Sequence, residues 1–258
     1  MINFEELARK AAKVYAQNTK VEAVYIAGSV ARGWEDDFSD IELNVLWSEG
    51  PTDQDRLSVI DQLNGELIDF YGFEDDEWSE TFKLEGVKFE ISSFLTATIR
   101  EVIHRVTKEF DISLEGQCLI SSIHYGVPVA GAELMDGFKA KVQVYPEQLG
   151  HVMIDAYSDF GNQWKNRQAL LEREDWLIFY SVMTVMQHHL MGILFGLNCM
   201  YVHHPDFKWQ QQTLDLMNIK PTDITKRMER VFFSSPDQGL HELEQLVQEV
   251  QELVRDKE

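Results

Sequence analysis

The sequence predicts an α+β fold, with an N-terminal domain built on a mixed β-sheet with flanking helices and a C-terminal helical bundle. Short segments between residues 21 and 95 alternate apolar and polar residues, which is typical of β-strands. After Pro146, every long segment has the apolar periodicity of an α-helix. Hydrophobic residues make up 44% of the 258 residues, which is enough for two cores. We therefore predict two domains, residues 1–143 and 144–258.

The first predicted elements are a helix, a strand, a short helical turn and a second strand. Apolar residues at helical spacing predict a helix over residues 4–18. The run "VEAVYIAG" predicts a buried strand that ends at Gly28, and "SVAR" then predicts one helical turn. The second strand, "SDIELNVLW", alternates strictly, so that Asp40, Glu42 and Asn44 share one face.

The remaining N-terminal elements follow from turn residues and alternation. We predict a helix over residues 51–63, a strand over 65–72 and an acidic loop over 74–80. Residues 81–94 predict a β-hairpin that turns at Glu85-Gly86, with Lys88, Glu90 and Ser92 on one face of its second arm. A helix is expected over 98–110. Pro146-Glu147 and Ser235-Pro236 are start signals for the first and last C-terminal helices.

The charge limits the possible partners. The net charge is −21, from 44 acidic and 23 basic residues, and such a field repels nucleic-acid backbones and anionic lipid. Long nucleic acids and membranes are therefore poor partners, whereas a cationic small molecule would be attracted. For most of these charges, a solvated surface is the favoured interpretation.

Three features of the sequence predict the cellular location of the protein. Two widely spaced cysteines indicate neither a disulfide framework nor a zinc site. The N-terminus lacks the apolar run of a signal peptide. The apolar stretch 176–200 is interrupted by Gln187, His188 and His189, which favours a core helix over a membrane span. We therefore expect a cytoplasmic protein.

Asp40 and Glu42 are two carboxylates on the same side of a strand. Anions held that close repel each other unless a cation lies between them. Their oxygen atoms suit Mg²⁺, which often binds one or two carboxylates together with substrate phosphates. The preceding Gly28-Ser29 turn lets the backbone approach a phosphate, and Ser29 and Arg32 could add further contacts. Chance acidic residues on a solvated edge strand are the alternative.

The order of these residues resembles that of a known superfamily. Gly28-Ser29, a ten-residue spacer, Asp40-Ile41-Glu42 and then Glu90 is similar to the signature of the polymerase-β-like nucleotidyltransferases. The similarity is greatest to the kanamycin nucleotidyltransferase group of aminoglycoside adenylyltransferases. It implies Mg²⁺ held by Asp40, Glu42 and Glu90.

The same resemblance implies a reaction and its partners. A nucleoside monophosphate would pass from a nucleoside triphosphate, expected to be ATP, to a hydroxyl of a small acceptor such as an aminoglycoside. The nucleotide would contact Gly28, Ser29, Arg32 and Lys208, although an ordinary surface lysine is the favoured interpretation of Lys208. A homodimer is also implied.

The segment "DFGNQWKN" resembles one that begins with the general base of that group. Asp159 takes the place of that glutamate, so the resemblance implies that Asp159 accepts the proton of the attacking hydroxyl. We expect Asp159 on the helix that starts at Pro146-Glu147, with Asp155 as the next candidate. A solvated helix carboxylate is the alternative. Gln163 stands where the family has a phosphate-holding lysine.

Two features leave alternatives open. His188 and His189 are adjacent on a helix and point about 100° apart, so packing or lining of a cleft is favoured over a shared metal. The acidic residues of the segment 74–80 would attract an amine-rich substrate if they lie beside the site, and otherwise form a solvated loop.

A second functional class is also open. Gln163 favours a non-catalytic or antitoxin-like protein of the same fold that is directed at a protein partner.

Overall fold

The protein has an α+β fold, as predicted, in a computed structural model that describes residues 3–257. The first half of the chain contains both strands and helices, whereas every element after Val142 is helical within the described range. The strands are β1 (Val21–Ile26), β2 (Ile41–Trp47), β3 (Glu66–Phe70), β4 (Trp78–Leu84), β5 (Val87–Leu95) and β6 (Val127–Ala130). The helices are α1 (Phe4–Tyr15), α2 (Gly28–Arg32), α3 (Asp53–Leu63), α4 (Thr96–Lys108), α5 (Leu114–Tyr125), α6 (Ala132–Val142), α7 (Glu147–Tyr157), α8 (Gly161–Lys165), α9 (Arg167–Glu172), α10 (Trp176–Leu197), α11 (Gln210–Leu216), α12 (Ile224–Phe233) and α13 (Pro236–Lys257).

Six strands of the described chain form one mixed sheet in the order β3-β4-β5-β2-β1-β6. The pair β2–β5 is parallel, and the other four pairs are antiparallel. The central strands β2 and β5 are therefore adjacent although the chain between them forms α3, β3 and β4. Their alternation is visible in the burial, since the apolar face of β2 is almost completely shielded from solvent.

The hairpin between β4 and β5 turns where the sequence predicts. Glu85 has φ 53° and Gly86 has φ 86°, and both values lie in the left-handed region that a two-residue turn of type I′ requires. The turn fixes the register of the two strands, which pair from Leu84↔Val87 to Trp78↔Ser93. This register sets which side chains of β5 share a face with β2.

The chain forms two compact units. The first consists of the chain up to Glu109 together with Leu119–Val144, and the second of Phe110–Cys118 together with the chain from Tyr145 on. The predicted contiguous division at 143/144 differs from this one in the segment 110–118 and at Val144. The roles that the resemblance implies for the two predicted domains, nucleotidyl transfer for the first and substrate binding for the second, stay predictions.

The second unit is organised around α10. This helix packs on α7 through Gly150 and Gly196, where an added Cβ on either glycine would lie 2.8 Å or 2.7 Å from the backbone oxygen of the other. By length and composition α10 could span a membrane, but 56% of its most apolar window is buried in the fold. Its buried side chains join those of α12 and α13 in one apolar core.

Three predicted boundaries need correction. Helix α1 ends at Tyr15, before the predicted Asn18, and β4 begins at Trp78, inside the predicted acidic loop. Asp159 was expected on the first C-terminal helix, but α7 ends at Tyr157. The hydroxyl of Ser158 donates to the carbonyl of Ile154 at 2.7 Å, and such local bonds compete with continuation of the helix.

Candidate active site

Strands β2 and β5 bring three of the predicted carboxylates to one region of the sheet. Glu42 and Glu90 are direct partners in the parallel register, and Ile41 pairs with Phe89. Paired residues of neighbouring strands present their side chains on the same face. Asp40 lies immediately before β2, beside Lys88, so the alternation found in the sequence correctly groups these residues.

Lys88 lies between two of these carboxylates. Its Nζ is 2.6 Å from Oε1 of Glu90 and 3.3 Å from Oδ2 of Asp40. The hydrogen bond to Glu90 is the main reason that the pKa of Lys88 is raised above its usual value, and Asp40 adds to the shift. The sequence reasoning placed Lys88 on the same face as Glu90 but assigned it no role.

Glu42 lies against the turn that ends β1. A Cβ added to Gly28 would lie 2.4 Å from Oε1 of Glu42, so only glycine leaves room for this carboxylate. Gly28 also has φ +60°, a conformation that glycine adopts without strain. The backbone N–H of Ala27 donates to the carbonyl of Glu42 at 2.9 Å, which fixes the turn to β2. The Gly28-Ser29 turn and Glu42 are therefore in direct contact.

The other two predicted phosphate-binding residues of this turn are tied into the first unit. Ser29 is buried, with 7% of its surface exposed. A guanidinium nitrogen of Arg32 donates to the hydroxyl of Ser121 at 2.8 Å, and the group lies 3.9 Å from the ring centre of Tyr125. These contacts give Arg32 a fixed position, while its predicted contact with phosphate stays a prediction.

A buried polar group continues the face of Asp40 and Glu42 into the sheet. Asn44 is 8% exposed, and its amide lies 3.5 Å from the hydroxyl of Ser122, which also lies 3.2 Å from the hydroxyl of Tyr25. Burial raises the pKa of Tyr25. The face thus changes from partly exposed at Asp40 to buried at Asn44. Alternation in β2 indicated Asn44, but nothing in the sequence indicated Ser122.

The oxygen atoms of Asp40, Glu42 and Glu90 are of the type that binds a hard cation, but their arrangement is not that of a metal site. Asp40 and Glu90 both supply an oxygen to a single cationic atom, the Nζ of Lys88, within 3.3 Å. All candidate ligands are carboxylates, the type that Mg²⁺ prefers. Within residues 3–257, however, no group of three or more His, Cys, Asp or Glu side chains is arranged to hold a metal ion. The three-carboxylate site stays a prediction, and it requires Lys88 to move.

The candidates of the second unit are exposed side chains. Asp159 is exposed in the turn between α7 and α8, and its Oδ1 accepts a hydrogen bond of 3.1 Å from the backbone N–H of Gly161. This local bond is a sufficient structural reason for an aspartate there. Asp155 is exposed on α7, and Lys208 is exposed between α10 and α11.

His188 and His189 are held by neighbours within the second unit. The ring of His188 lies 5.4 Å from that of Phe207. Nδ1 of His189 lies 2.6 Å from the carbonyl oxygen of Tyr157, and its ring meets that of Phe160 edge to face. These contacts are those of packed side chains.

The first unit is thus defined by a mixed sheet that carries clustered carboxylates on two parallel strands beside a glycine turn. A family model described as a domain of unknown function, DUF4037, matches residues 112–210. None of the curated proteins matches the chain. Similarity is found to the crystal structure of a nucleotidyltransferase-like protein from Exiguobacterium sibiricum 255-15, at 15% identity and a TM-score of 0.42, over 99% of this chain and 76% of that one. At this TM-score the similarity carries no argument about fold or activity, and it does not concern the kanamycin nucleotidyltransferase group.

Proposed function

We propose that this protein is a metal-dependent nucleotidyltransferase. It would move a nucleoside monophosphate from a nucleoside triphosphate, preferentially ATP, to a hydroxyl of a small acceptor. The observation that carries the proposal is the register pairing of Glu42 with Glu90 on adjacent parallel strands, with Glu42 against Gly28 and Asp40 immediately before β2. Chance acidic residues on an edge strand do not account for it, because β2 and β5 lie in the middle of the sheet.

Each of these residues has a defined task in the proposal. Asp40, Glu42 and Glu90 would hold Mg²⁺, which when bound neutralises phosphate charge and stabilises in-line displacement. Gly28 would let the backbone come close to the phosphates. Ser29 would offer its hydroxyl to a phosphate oxygen.

Three further residues would complete the reaction. Arg32, fixed by Ser121 and Tyr125, would face the phosphates with a positioned positive charge. Lys208 would supply a second positive charge to the phosphates. Asp159 would accept the proton of the attacking hydroxyl, because its side chain is exposed and one oxygen is steadied by Gly161. Asp155 is the substitute if Asp159 has no part in the reaction.

The charge of the chain supports a cationic acceptor. A net charge of −21 would attract an amine-rich, hydroxylated molecule of the aminoglycoside type. The acidic residues Glu74, Asp75 and Asp76, which are exposed just before β4, would add to this attraction, whereas Glu80 of the same segment is buried against Arg56. We propose a homodimer located in the cytoplasm as the working form.

The test is nucleotide transfer by the full chain. The protein is incubated with Mg²⁺, each of the four α-labelled nucleoside triphosphates and a panel of aminoglycosides. Asp40→Asn and Glu42→Gln should abolish transfer and weaken binding of Mg²⁺-nucleotide, while the circular dichroism spectrum is unchanged. Asp37→Asn removes the same charge from the exposed loop before β2 and should leave transfer intact. Full activity of either site variant would show that the metal-site assignment is wrong.

Two observations favour a second candidate function. Lys88 already pairs with Asp40 and Glu90, and the described residues hold no ready group of three metal ligands. Both facts suit a non-catalytic, antitoxin-like protein that binds or acts on a protein partner. A folded wild-type chain that neither transfers nucleotide nor binds Mn²⁺-nucleotide would support this alternative.

A further inference from the structure

We propose that Lys88 is an internal counter-ion that occupies the cation position between Asp40 and Glu90 and has to be displaced when a metal ion binds. The inference rests on the proposed function, because it takes these carboxylates to be metal ligands. It adds a regulation that the function does not contain: the site competes with a positive charge of its own chain. Metal alone would therefore bind weakly.

The position of Lys88 follows from the register of the sheet. Lys88 and Glu90 are two residues apart on β5 and share a face. The parallel pairing Ile41↔Phe89 places Asp40 beside Lys88 on the neighbouring strand. The ammonium group is thus 2.6 Å from one carboxylate and 3.3 Å from the other, and it offsets a repulsion that the two anions would otherwise exert on each other.

Lys88 is held loosely enough to leave. Its side chain is 43% exposed, and ion pairs at such sites are weak because water competes for both partners. A divalent cation interacts twice as strongly with the same carboxylates at equal distance. Removing the competing charge should tighten metal binding by about tenfold at low ionic strength. Since a triphosphate adds its own ligands for the metal, the wild-type site would fill mainly when nucleotide and metal arrive together.

The sheet provides a matched control. Lys83 on β4 is the cross-strand partner of Lys88, so its side chain starts from the same face one strand away. Lys83 is exposed and has no ion pair with the candidate ligands among the described side chains. Removing the charge of Lys83 therefore changes the net charge equally without opening the site.

The experiment measures binding of Mn²⁺ alone to the full chain, from the loss of the free Mn²⁺ signal in electron paramagnetic resonance. Lys88→Met should bind Mn²⁺ about tenfold more tightly than wild type. Lys83→Met and Lys88→Arg should bind like wild type, and the double variant Asp40→Asn/Lys88→Met should lose the gain. Lys88→Gln, which keeps a polar side chain, repeats the test if Lys88→Met does not fold.

The outcomes separate this inference from the proposed function. If wild type shows Mg²⁺-dependent transfer but neither Lys88 variant binds Mn²⁺ more tightly, the counter-ion inference is wrong and the function stands. An equal gain in Lys83→Met would also overturn it, since net charge alone would then explain the result. If no variant binds Mn²⁺ and wild type shows no transfer, both proposals fail.

Discussion

The contact between Gly28 and Glu42 leads to a sharp prediction. Gly28→Ala adds a Cβ that would lie 2.4–2.7 Å from the carboxylate atoms of Glu42. The carboxylate is the flexible end of its side chain, so we expect it to move away rather than the strands to separate. The variant should therefore fold but lose the position of one predicted metal ligand.

The variant Gly33→Ala measures the cost of the left-handed backbone conformation without a clash. Gly33 has φ +67°, close to the +60° of Gly28, but a Cβ there meets no atom within 4 Å. The left-handed conformation costs a non-glycine residue about 1–2 kcal/mol. The lower entropy of the unfolded chain returns roughly 0.4–1 kcal/mol of that cost. Both variants should lose about 1 kcal/mol of unfolding free energy, or about 2–4 °C in Tm.

The two variants should differ in function. We expect Gly28→Ala to lower the rate of Mg²⁺-dependent transfer on the order of 10²-fold, because a misplaced catalytic group costs about that much. Gly33→Ala should keep the wild-type rate. Thermal unfolding and labelled-nucleotide transfer are measured on the same samples. Equal loss of transfer in both variants, or a loss of stability several kcal/mol greater in Gly28→Ala, would refute the reasoning.

Three further predictions concern other residues. Asp159→Asn should cut turnover by roughly 10²–10⁴-fold with little change in nucleotide affinity; unchanged turnover would remove it as the base. Arg56 and Glu80 form a pair with both side chains at 0% exposure, joined at 2.7 Å. Arg56→Met should therefore cost about 3–5 kcal/mol of unfolding free energy, measured by urea unfolding. The double variant Arg56→Met/Glu80→Leu should regain part of that free energy, and an equal loss in the single and double variants would contradict this. Burial lowers the pKa of His124 below its usual value, so the folded state binds the proton more weakly than the unfolded state and stability should fall as pH drops below about 6.5. Thermal scans between pH 7.5 and 5.5 should show a smaller fall for His124→Gln, and an equal fall would count against burial as the cause.

The sequence predicts the strands and their faces better than it predicts contacts between distant segments. Alternation identified the polar faces of β2 and β5, because a side-chain period of two is a local property. The parallel pairing that makes Glu42 and Glu90 partners is not local, and neither is the place of Lys88 between two carboxylates. The motif order pointed to Glu90, but only the register explains why Lys88 also reaches Asp40 on the neighbouring strand.

Helix ends were the other source of error. Periodicity continues through Asp159, yet α7 stops at Tyr157, since side-chain hydrogen bonds and the positive φ of Gly161 favour a turn there. Such competition between a helix and a turn depends on a few local contacts and leaves little trace in the apolar pattern. The local structure around Asp159 is therefore less well predicted than the strands of the sheet.

The division of the chain within α5 decides how this protein can be dissected. Residues 110–118 belong to the second unit, and Ile112 and Leu114 pack against its apolar core. A fragment that ended at residue 143 would carry these side chains without their core and expose them to water. The complementary fragment would lack them and leave its own core uncovered. Neither half can thus be exchanged as a contiguous cassette, and a workable swap would have to transfer the segment 110–118 together with everything after Val144.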